Sequence, residues 1–433
     1  MQIQKPRGTY DLIPTEVVKR RYVEETTRKV FSNFNFSEIR TPTFENTQLF
    51  KRGIGEETDI VSKEMYSFSD GEFTLKPEMT ASVIRSYLEN SLYNESPLQK
   101  LYYISNMFRA ERPQKGRYRE FSQFGAEAIG SGDYSIDVEM IVLADSILKA
   151  LGLKDYTITL NTLGTIEERK IYLDNLKAFL KPFESQLSET SKVRLEKNPL
   201  RILDTKNPEE RKILENAPAL YDFLNDESKN HFQNILSSLD ALKIKYVIDY
   251  KLVRGLDYYT STAFEFISAE LGAQSTILGG GRYDVLVEML GGKPTPAIGF
   301  AAGIERILIL LEEKAKAGRF TFPEDNKLNL YIVNAGLKDT SRIQSILTVL
   351  RTMGIKCESD FLSRSVKSQM KEANKYNAEY TIVLGENEIT SQKCKLKRMA
   401  DSKEIEADIN RIYDDIMLFE ELLNKQTLAN NAD

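Results

Sequence analysis

The chain has 433 residues, 41% of them hydrophobic, and a formal net charge of -5. That length predicts about two to four domains, and the apolar fraction excludes wholesale disorder. The negative balance excludes a protein that coats nucleic acid non-specifically, although a local basic patch still acts within a Debye length of about 8–10 Å.

The opening residues, MQIQKPRGTYDLIP, lack the apolar stretch of a signal peptide, and no apolar run approaches the ~20 residues of a membrane helix. Cys357 and Cys394 are far apart and form no CxxC, so a reduced, cytoplasmic setting is expected. The one histidine, His231, lies in a polar, helix-like stretch and reads as a surface residue. A His-rich metal site is thereby excluded. Any chemistry must run on Arg, Lys, Glu, Gln, Tyr and backbone, with metal entering only on a substrate. That set suits phosphoryl or nucleotidyl transfer, where positioning and charge stabilisation dominate catalysis.

In chain order, 14–34 has helical periodicity in Val17, Val18, Tyr22, Val30 and Phe31. FSEIRTPTF, 36–44, reads as a strand broken by Pro42, which points to a sheet edge or an interface. A polar loop, LFKRGIGEETDIVSKEMYSFSD, follows, with a short strand around 65–68. PEMTASVIRSYLEN, 77–90, reads as a turn entering a helix. Thr80 is a natural N-cap, and Glu78 sits where a helix N-terminus favours an acid. The same two side chains could instead line a pocket and receive a ligand ammonium.

The stretch 102–129, YYISNMFRAERPQKGRYREFSQFGAEAI, reads as strands at 102–108 and 121–129. The loop between them sets Arg109, Arg112, Lys115, Arg117 and Arg119 against Glu111 and Glu120. Alternation puts Gln123, Gly125 and Glu127 on one face, the outer two about 13 Å apart across a bare floor. Long polar side chains beside a bare floor suit a small polar ligand, and a basic loop suits phosphates. The same pattern also describes a solvated hairpin with a charged tip.

Residues 136–151 read as an amphipathic helix ending at Gly152, and 156–160 as a strand before the turn NTLG. From Thr165 to Arg254 there is no glycine. The span 166–242 reads as an α-helical insertion, before a short strand at 246–249. LVRGLDYYTSTAFEF, 252–266, is a sharp turn at Gly255 followed by a strand. STILGGGRYDVLVEMLGG reads as strand, triple-glycine turn at 279–281 and helix. AIGFAAGIERILILLEEKAK, 297–316, reads as a short strand, Gly303 and an apolar helix. Close-packed glycines let backbone approach a ligand. The run lacks GxGxxG and its downstream acid, which disfavours a dinucleotide-binding oxidoreductase. Residues 318–327 read as a linker. Beyond it, strands at 328–335, 355–359 and 379–384 alternate with helices at 340–353 and 364–376. A last helix reaches residue 425, and the tail after residue 427 is expected to fray. Such alternation predicts a small α/β domain with a mostly parallel sheet.

These stretches resemble those of histidyl-tRNA synthetases, which are class II aminoacyl-tRNA synthetases, over nearly the whole chain. FSEIRTPTF with Pro42 is similar to class II motif 1, the family's dimer interface. MFRAERPQKGRYREFSQFGAE is similar to motif 2, and GFAAGIERI to motif 3. LVRGLDYYTSTAFEF and TILGGGRYD resemble stretches specific to the histidine family, and NPLRILDTK in the insertion is also family-like. The resemblance implies an α+β catalytic domain on an antiparallel sheet at 1–325, carrying the helical insertion, and a C-terminal α/β anticodon-binding domain at 326–433. It implies a cytoplasmic homodimer whose substrates are L-histidine, ATP with magnesium carried on it, and the tRNA for histidine. It implies no membrane and no protein-held metal.

Residue roles follow from the same resemblance. Arg109 and Arg254 are catalytic, holding the α-phosphate from opposite sides. Glu78, Met79, Thr80, Gln123, Glu127, Arg254, Tyr258 and Tyr259 bind histidine. Among these, Glu78, Thr80 and Gln123 receive the ammonium, and Glu127 with the two tyrosines forms the specificity wall. Arg109, Glu111, Arg117, Tyr118 and Arg306 bind ATP, with Arg306 over the adenine. Gln114, Lys115 and Arg119 are candidates for the tRNA acceptor end. The rival is a histidine-binding regulatory subunit of ATP phosphoribosyltransferase. Such relatives tend to lack the C-terminal domain and to erode the arginine motifs, whereas Arg109, Arg254 and Arg306 are all present here.

Overall fold

Alternating side chains along the strands Gln99–Phe108 and Glu120–Ile129 give one half of the molecule a core face and an open face. The computed structural model describes residues 3–55, 58–203, 205, 207–323 and 327–417. Two compact units, Met1–Pro323 and Glu324–Asp433, make up the chain. The expected end of the last helix, the tail and parts of the polar loop, insertion and linker (56–57, 204, 206 and 324–326) lie outside the described residues. Among those residues no helix is long and apolar enough to cross a membrane.

The first unit is built on an eight-stranded sheet. Its order is Ser37–Glu38, Gln99–Phe108, Glu120–Ile129, Ala297–Gly303, Thr276–Arg282, Thr260–Ile267, Thr157–Thr162, Val247–Ile248. The six inner strands are antiparallel, and only the short edge strands pair in parallel. Tyr102, Phe124, Ala126, Phe264, Phe266, Phe300 and Ala302 point to the core face. The helices Pro14–Asn33, Tyr134–Ala150, Asp226–Ala241 and Ile304–Lys316 cover it with Phe31, Ile147, Phe232 and Leu311. Phe31 stacks on Tyr102 at 4.5 Å. Each such fully buried side chain contributes about 1.5–3 kcal/mol.

Several expectations are corrected. FSEIRTPTF is not one strand. Ser37–Glu38 joins the large sheet, while Phe44–Asn46 joins a separate three-stranded sheet with Tyr66–Phe68 and Phe73–Leu75. The start of the polar loop is the end of a helix, Thr47–Ile54, capped by the Asn46 side chain, which accepts from Gln48 N at 2.9 Å. The triple glycine is not a turn, because it lies inside the strand Thr276–Arg282 and pairs on both sides. A Cβ at Gly279 would overlap the Arg254 guanidinium, and one at Gly280 the ring of Phe264 and the backbone of Gly299. These glycines serve close approach rather than chain reversal.

His231 is only partly exposed rather than a free surface residue. Its helix turns it towards the helix Tyr134–Ala150, where Nε2 lies 3.6 Å from the fully buried Asp137 carboxylate. Asp137 also accepts from Arg282 Nε and Nη2, at 2.9 and 2.6 Å. The remaining Arg282 donors go to Asp284 and to the carbonyls of Ser131 and Asp133. A buried charge held this fully fixes the end of the glycine strand.

The glycine-free span forms the helices Ile166–Leu180, Glu189–Lys197, Pro208–Leu214 and Asp226–Ala241. The first starts in a reciprocal cap: Glu168 N donates to Thr165 Oγ1, and Thr165 N to Glu168 Oε2. Tyr172, Leu176, Leu180, Leu195, Ile202 and Leu214 give the insertion its own small core.

The second unit has a five-stranded sheet, ordered Cys357–Ser359, Leu330–Asn334, Tyr380–Leu384, Lys393–Arg398, Glu404–Asp408. The first three strands are parallel and the last two antiparallel, so the sheet is mixed rather than mostly parallel. The helices Ser341–Thr352 and Val366–Lys375 make the expected crossovers. Both cysteines are buried and unpaired.

Candidate active site

The open face of the large sheet is floored by small residues because of its register. Tyr103, Gly125, Ala301, Gly279 and Glu265 are successive cross-strand partners. In the next row come Leu101, Glu127, Gly299 and Gly281. Partners directly opposite share a face, so Gly125, Ala301 and Gly279 in the first row and Gly299 and Gly281 in the second leave the middle of the sheet almost without side chains. Three long side chains use the room. The Tyr103 hydroxyl lies where a Cβ at Gly125 would be, the Glu127 carboxylate fills that place at Gly299, and the Arg254 guanidinium fills it at Gly279. The bare floor at Gly125 is therefore occupied by Tyr103.

Above this floor is a cavity of about 360 Å³. Twelve residues named from the sequence line it: Glu78, Met79, Thr80, Arg109, Glu111, Arg117, Tyr118, Gln123, Arg254, Tyr258, Tyr259 and Arg306. Glu127 lies one layer below at 1% exposure, and the cavity reaches it through Thr80. Gln114, Lys115 and Arg119 stand off the cavity. Gln114 and Arg117 exchange backbone hydrogen bonds of 3.1 and 2.9 Å around Gly116. Lys115 is exposed, 3.8 Å from Glu313. Arg119 Nε donates to the Glu111 carbonyl at 3.3 Å and Nη1 to that of Arg7 at 3.4 Å.

The helix Thr80–Glu89 brings the first wall. Thr80 is not its N-cap. The cap is the Glu78 carboxylate, which accepts from Thr80 N at 2.7 Å and Ala81 N at 2.9 Å. Thr80 Oγ1 is thereby free to donate to Glu127 Oε1 at 2.8 Å. Tyr283, from RYD, donates to Glu127 Oε2 at 2.5 Å. Burial pushes the Glu127 carboxyl up to about 8, against the pull of the Tyr283 and Thr80 hydroxyls. Burial also raises Glu78, against the Ala81 and Thr80 N–H groups, and holds Tyr103, Tyr258 and Tyr283 well above the ordinary phenol range.

Three arginines also line the cavity. Arg109 Nε donates to the Pro77 carbonyl at 2.9 Å, and its guanidinium lies 5.3 Å from the Phe121 ring. Arg254 pairs with Glu265, whose other oxygen accepts from Thr276 Oγ1 at 3.0 Å. Arg306 donates to the carbonyls of Gly116 at 3.3 Å and Thr276 at 2.7 Å. Its pKa is lowered by burial and then by Arg117. Three arginines on the cavity lining, with the buried carboxyl of Glu78 beside them and that of Glu127 beneath, suit a ligand that carries both a phosphate and a cationic group. Among the described residues no group of three or more His, Cys, Asp or Glu could hold a metal ion.

Residues 8–307 match the family model described as Histidyl-tRNA synthetase, and residues 330–416 the one described as Anticodon binding domain. The chain belongs to the histidyl-tRNA synthetase family. It is 46% identical to the histidine–tRNA ligase of Halothermothrix orenii, over 96% of this chain and 99% of that one. Its identity with the Lactococcus lactis subsp. cremoris (strain SK11) ligase is 45%, over 98% of this chain and 99% of that one. The crystal structure of an apo S. aureus histidyl-tRNA synthetase superposes with a TM-score of 0.81 at 36% identity, covering 96% of this chain and 100% of that one.

Tyr103, Tyr283, Glu265 and Thr276 escaped sequence reasoning. Tyr283, Glu265 and Thr276 stood within family stretches but were given no role, and Tyr103 joins the site through sheet register. The N-terminal RGTYD was also passed over. Tyr10 donates to Glu305 at 2.5 Å and packs on Tyr118 at 4.9 Å between ring centres. A side chain at Gly8 (φ 91°) would collide with Pro113 and Arg119. This segment thus props the basic loop.

Proposed function

We propose that the chain is a histidine–tRNA ligase whose cavity over the glycine floor performs both half-reactions. A carboxylate oxygen of L-histidine attacks the α-phosphorus of ATP, and the bond to the β-phosphate breaks, giving histidyl-adenylate and pyrophosphate. The terminal ribose hydroxyl of the tRNA then attacks the activated carbonyl, and AMP leaves. The observation that carries this is that Arg109, Arg254 and Arg306 line one cavity together with the buried carboxyl of Glu78, with the buried Glu127 one layer below.

Arg109 and Arg254 hold the α-phosphate and neutralise charge that grows on it in the transition state. Arg306 covers the adenine, with Glu111, Arg117 and Tyr118 completing the nucleotide side. Thr80, Gln123 and Glu78 take the histidine ammonium. Glu127 with Tyr258 and Tyr259 selects the imidazole. A site built on such buried bonds rejects analogues lacking the partner by ~10⁴–10⁵. Gln114, Lys115 and Arg119, on the rim, meet the acceptor end of the tRNA. Magnesium arrives with ATP as part of that substrate.

The working form is a cytoplasmic homodimer. Supporting it, Phe44 and Phe68 are 50% and 41% exposed on the three-stranded sheet next to the motif 1 stretch. With Phe73 they form one aromatic cluster, ring centres 5.7–6.1 Å apart. Such a patch is costly in a monomer.

The test is pyrophosphate exchange into ATP with each of the twenty amino acids in turn. Exchange with histidine alone is expected. Histidine binding without exchange, even with tRNA added, would instead favour the regulatory-subunit alternative.

A further inference from the structure

The segment 254–259 is a thin wall between two cavities. Arg254, Leu256 and Tyr259 line the cavity of about 360 Å³ on one side and a second of about 220 Å³ on the other. Tyr258 and Tyr259 are packed into the core, but Gly255 and Asp257 are exposed and Leu256 is half-buried, so the start of the wall has little packing of its own. Nothing stands within 4 Å of where a Gly255 side chain would be, so the residue after Arg254 is a free hinge as far as packing goes.

Polar ties hold the wall instead, and those on its outer flank come from the helical insertion. Arg169 Nη2 donates to the Tyr259 carbonyl at 2.5 Å, and Arg201 Nη2 to the Gly255 carbonyl at 2.9 Å. Asn198 Nδ2 donates to Asp257 Oδ1 at 3.0 Å, and Arg201 lies 3.6 Å from the same oxygen. On the inner flank, Asp257 N donates to the Ile54 carbonyl at 3.3 Å, and its carboxylate fills the space beside Gly55. The insertion therefore grips the wall at Gly255, Asp257 and Tyr259, and Arg254, its guanidinium paired with Glu265, joins the wall at the Gly255 hinge.

We propose that Arg169, Asn198 and Arg201 are positioning residues for Arg254, so that the helical insertion sets the geometry of the activation step. This rests on Arg254 being the second catalytic arginine. Without a tie at Gly255 the hinge relaxes and Arg254 loses its aim at the phosphorus. The loss falls on the chemical step more than on ATP binding, because a charge-stabilising group acts most strongly in the transition state.

The experiment is histidine-dependent pyrophosphate exchange by the full chain carrying Arg201→Ala, Arg169→Ala or Asn198→Ala, each alone and combined with Arg254→Ala. Arg201→Ala is expected to lower kcat about tenfold while KM for ATP changes less than about twofold. In the Arg254→Ala background the same substitution is expected to change kcat less than about twofold, because it has nothing left to position. Arg201→Lys, which keeps a donor for the carbonyl, is expected to recover most of the rate. Losses that multiply with Arg254→Ala, or a rate that survives both Arg201→Ala and Arg169→Ala, overturn the proposal. Thermal unfolding by circular dichroism accompanies each variant. If Arg201→Ala does not fold, Asn198→Ala, which removes one neutral hydrogen bond, decides by the same comparison. An inactive wild-type chain sinks the site assignment and this proposal together, whereas an active wild type with unaffected variants sinks the proposal alone.

Discussion

Glu127 is 1% exposed, receives a hydroxyl on each carboxylate oxygen, and has its pKa pushed up to about 8 by burial. Near neutral pH it is therefore mostly protonated while the cavity is free. Docking an imidazole N–H or a cation against it favours the ionised form, so histidine binding near pH 7 is expected to release a proton. Calorimetry in buffers of different ionisation enthalpy measures this, and Glu127→Gln should abolish it. A wild-type chain that binds histidine with no proton change would detach Glu127 from recognition. The sign for stability is opposite to that of an ordinary salt-bridged acid. A carboxyl raised above its ordinary value of 4.5 stabilises the fold fully below that pH, and the contribution fades as pH rises through about 8. Glu127→Gln should flatten the fall in unfolding free energy across that window. Arg254 carries a separate expectation: Arg254→Ala should cut adenylate formation by roughly 10²–10³. Unchanged exchange would remove it from the mechanism.

At the level of elements, what was legible followed from how many periods each element offered. The hairpin Gln99–Phe108 and Glu120–Ile129 has ten residues per strand and declared itself by alternation. Tyr66–Phe68 and Phe73–Leu75 have three residues each, too few for a period, and only one of the two was anticipated. Lys393–Arg398 did carry a signal, with Cys394 and Leu396 buried between exposed lysines, but the preceding helix–strand rhythm masked it. The triple glycine misled because glycine marks both turns and close approach. Only register with the neighbouring strands tells the two apart. The lining of the site was legible through motifs, whereas the pairing of Glu265 and Thr276 with Arg254, and the place of Tyr103 over Gly125, follow from sheet partnership that no local pattern records. Two substitutions test this element-level account. Gly279→Ala places a methyl group in the Arg254 guanidinium and is expected to lower exchange nearly as far as Arg254→Ala with the fold retained. Glu78→Ala removes the helix cap and should lower stability by about 0.5–2 kcal/mol in chemical denaturation. If Thr80→Ala costs as much helix stability as Glu78→Ala, the cap assignment is wrong.

Across the whole molecule, the candidate cavity and the match to an anticodon-binding domain fall in different units. Every residue lining the larger cavity lies between Ile60 and Arg306, inside the unit that ends at Pro323. The second unit closes its own core with Leu330, Ile332, Leu347, Ile382 and Leu396, and its residues 330–416 match an anticodon-binding domain. A chain ending at Pro323 should therefore fold and keep histidine-dependent pyrophosphate exchange within about threefold of the full chain, since the site loses no member. Charging of tRNA should suffer far more. Two contacts on one nucleic acid convert the second into an intramolecular event, and losing one forfeits a gain of about 10²–10⁴ in apparent affinity. The expected result is an aminoacylation kcat/KM for tRNA that falls by at least about tenfold while exchange persists, measured on the same preparation. Exchange that disappears with the second unit, in a chain whose circular dichroism melt shows it folded, would mean that the catalytic geometry depends on the second unit being present.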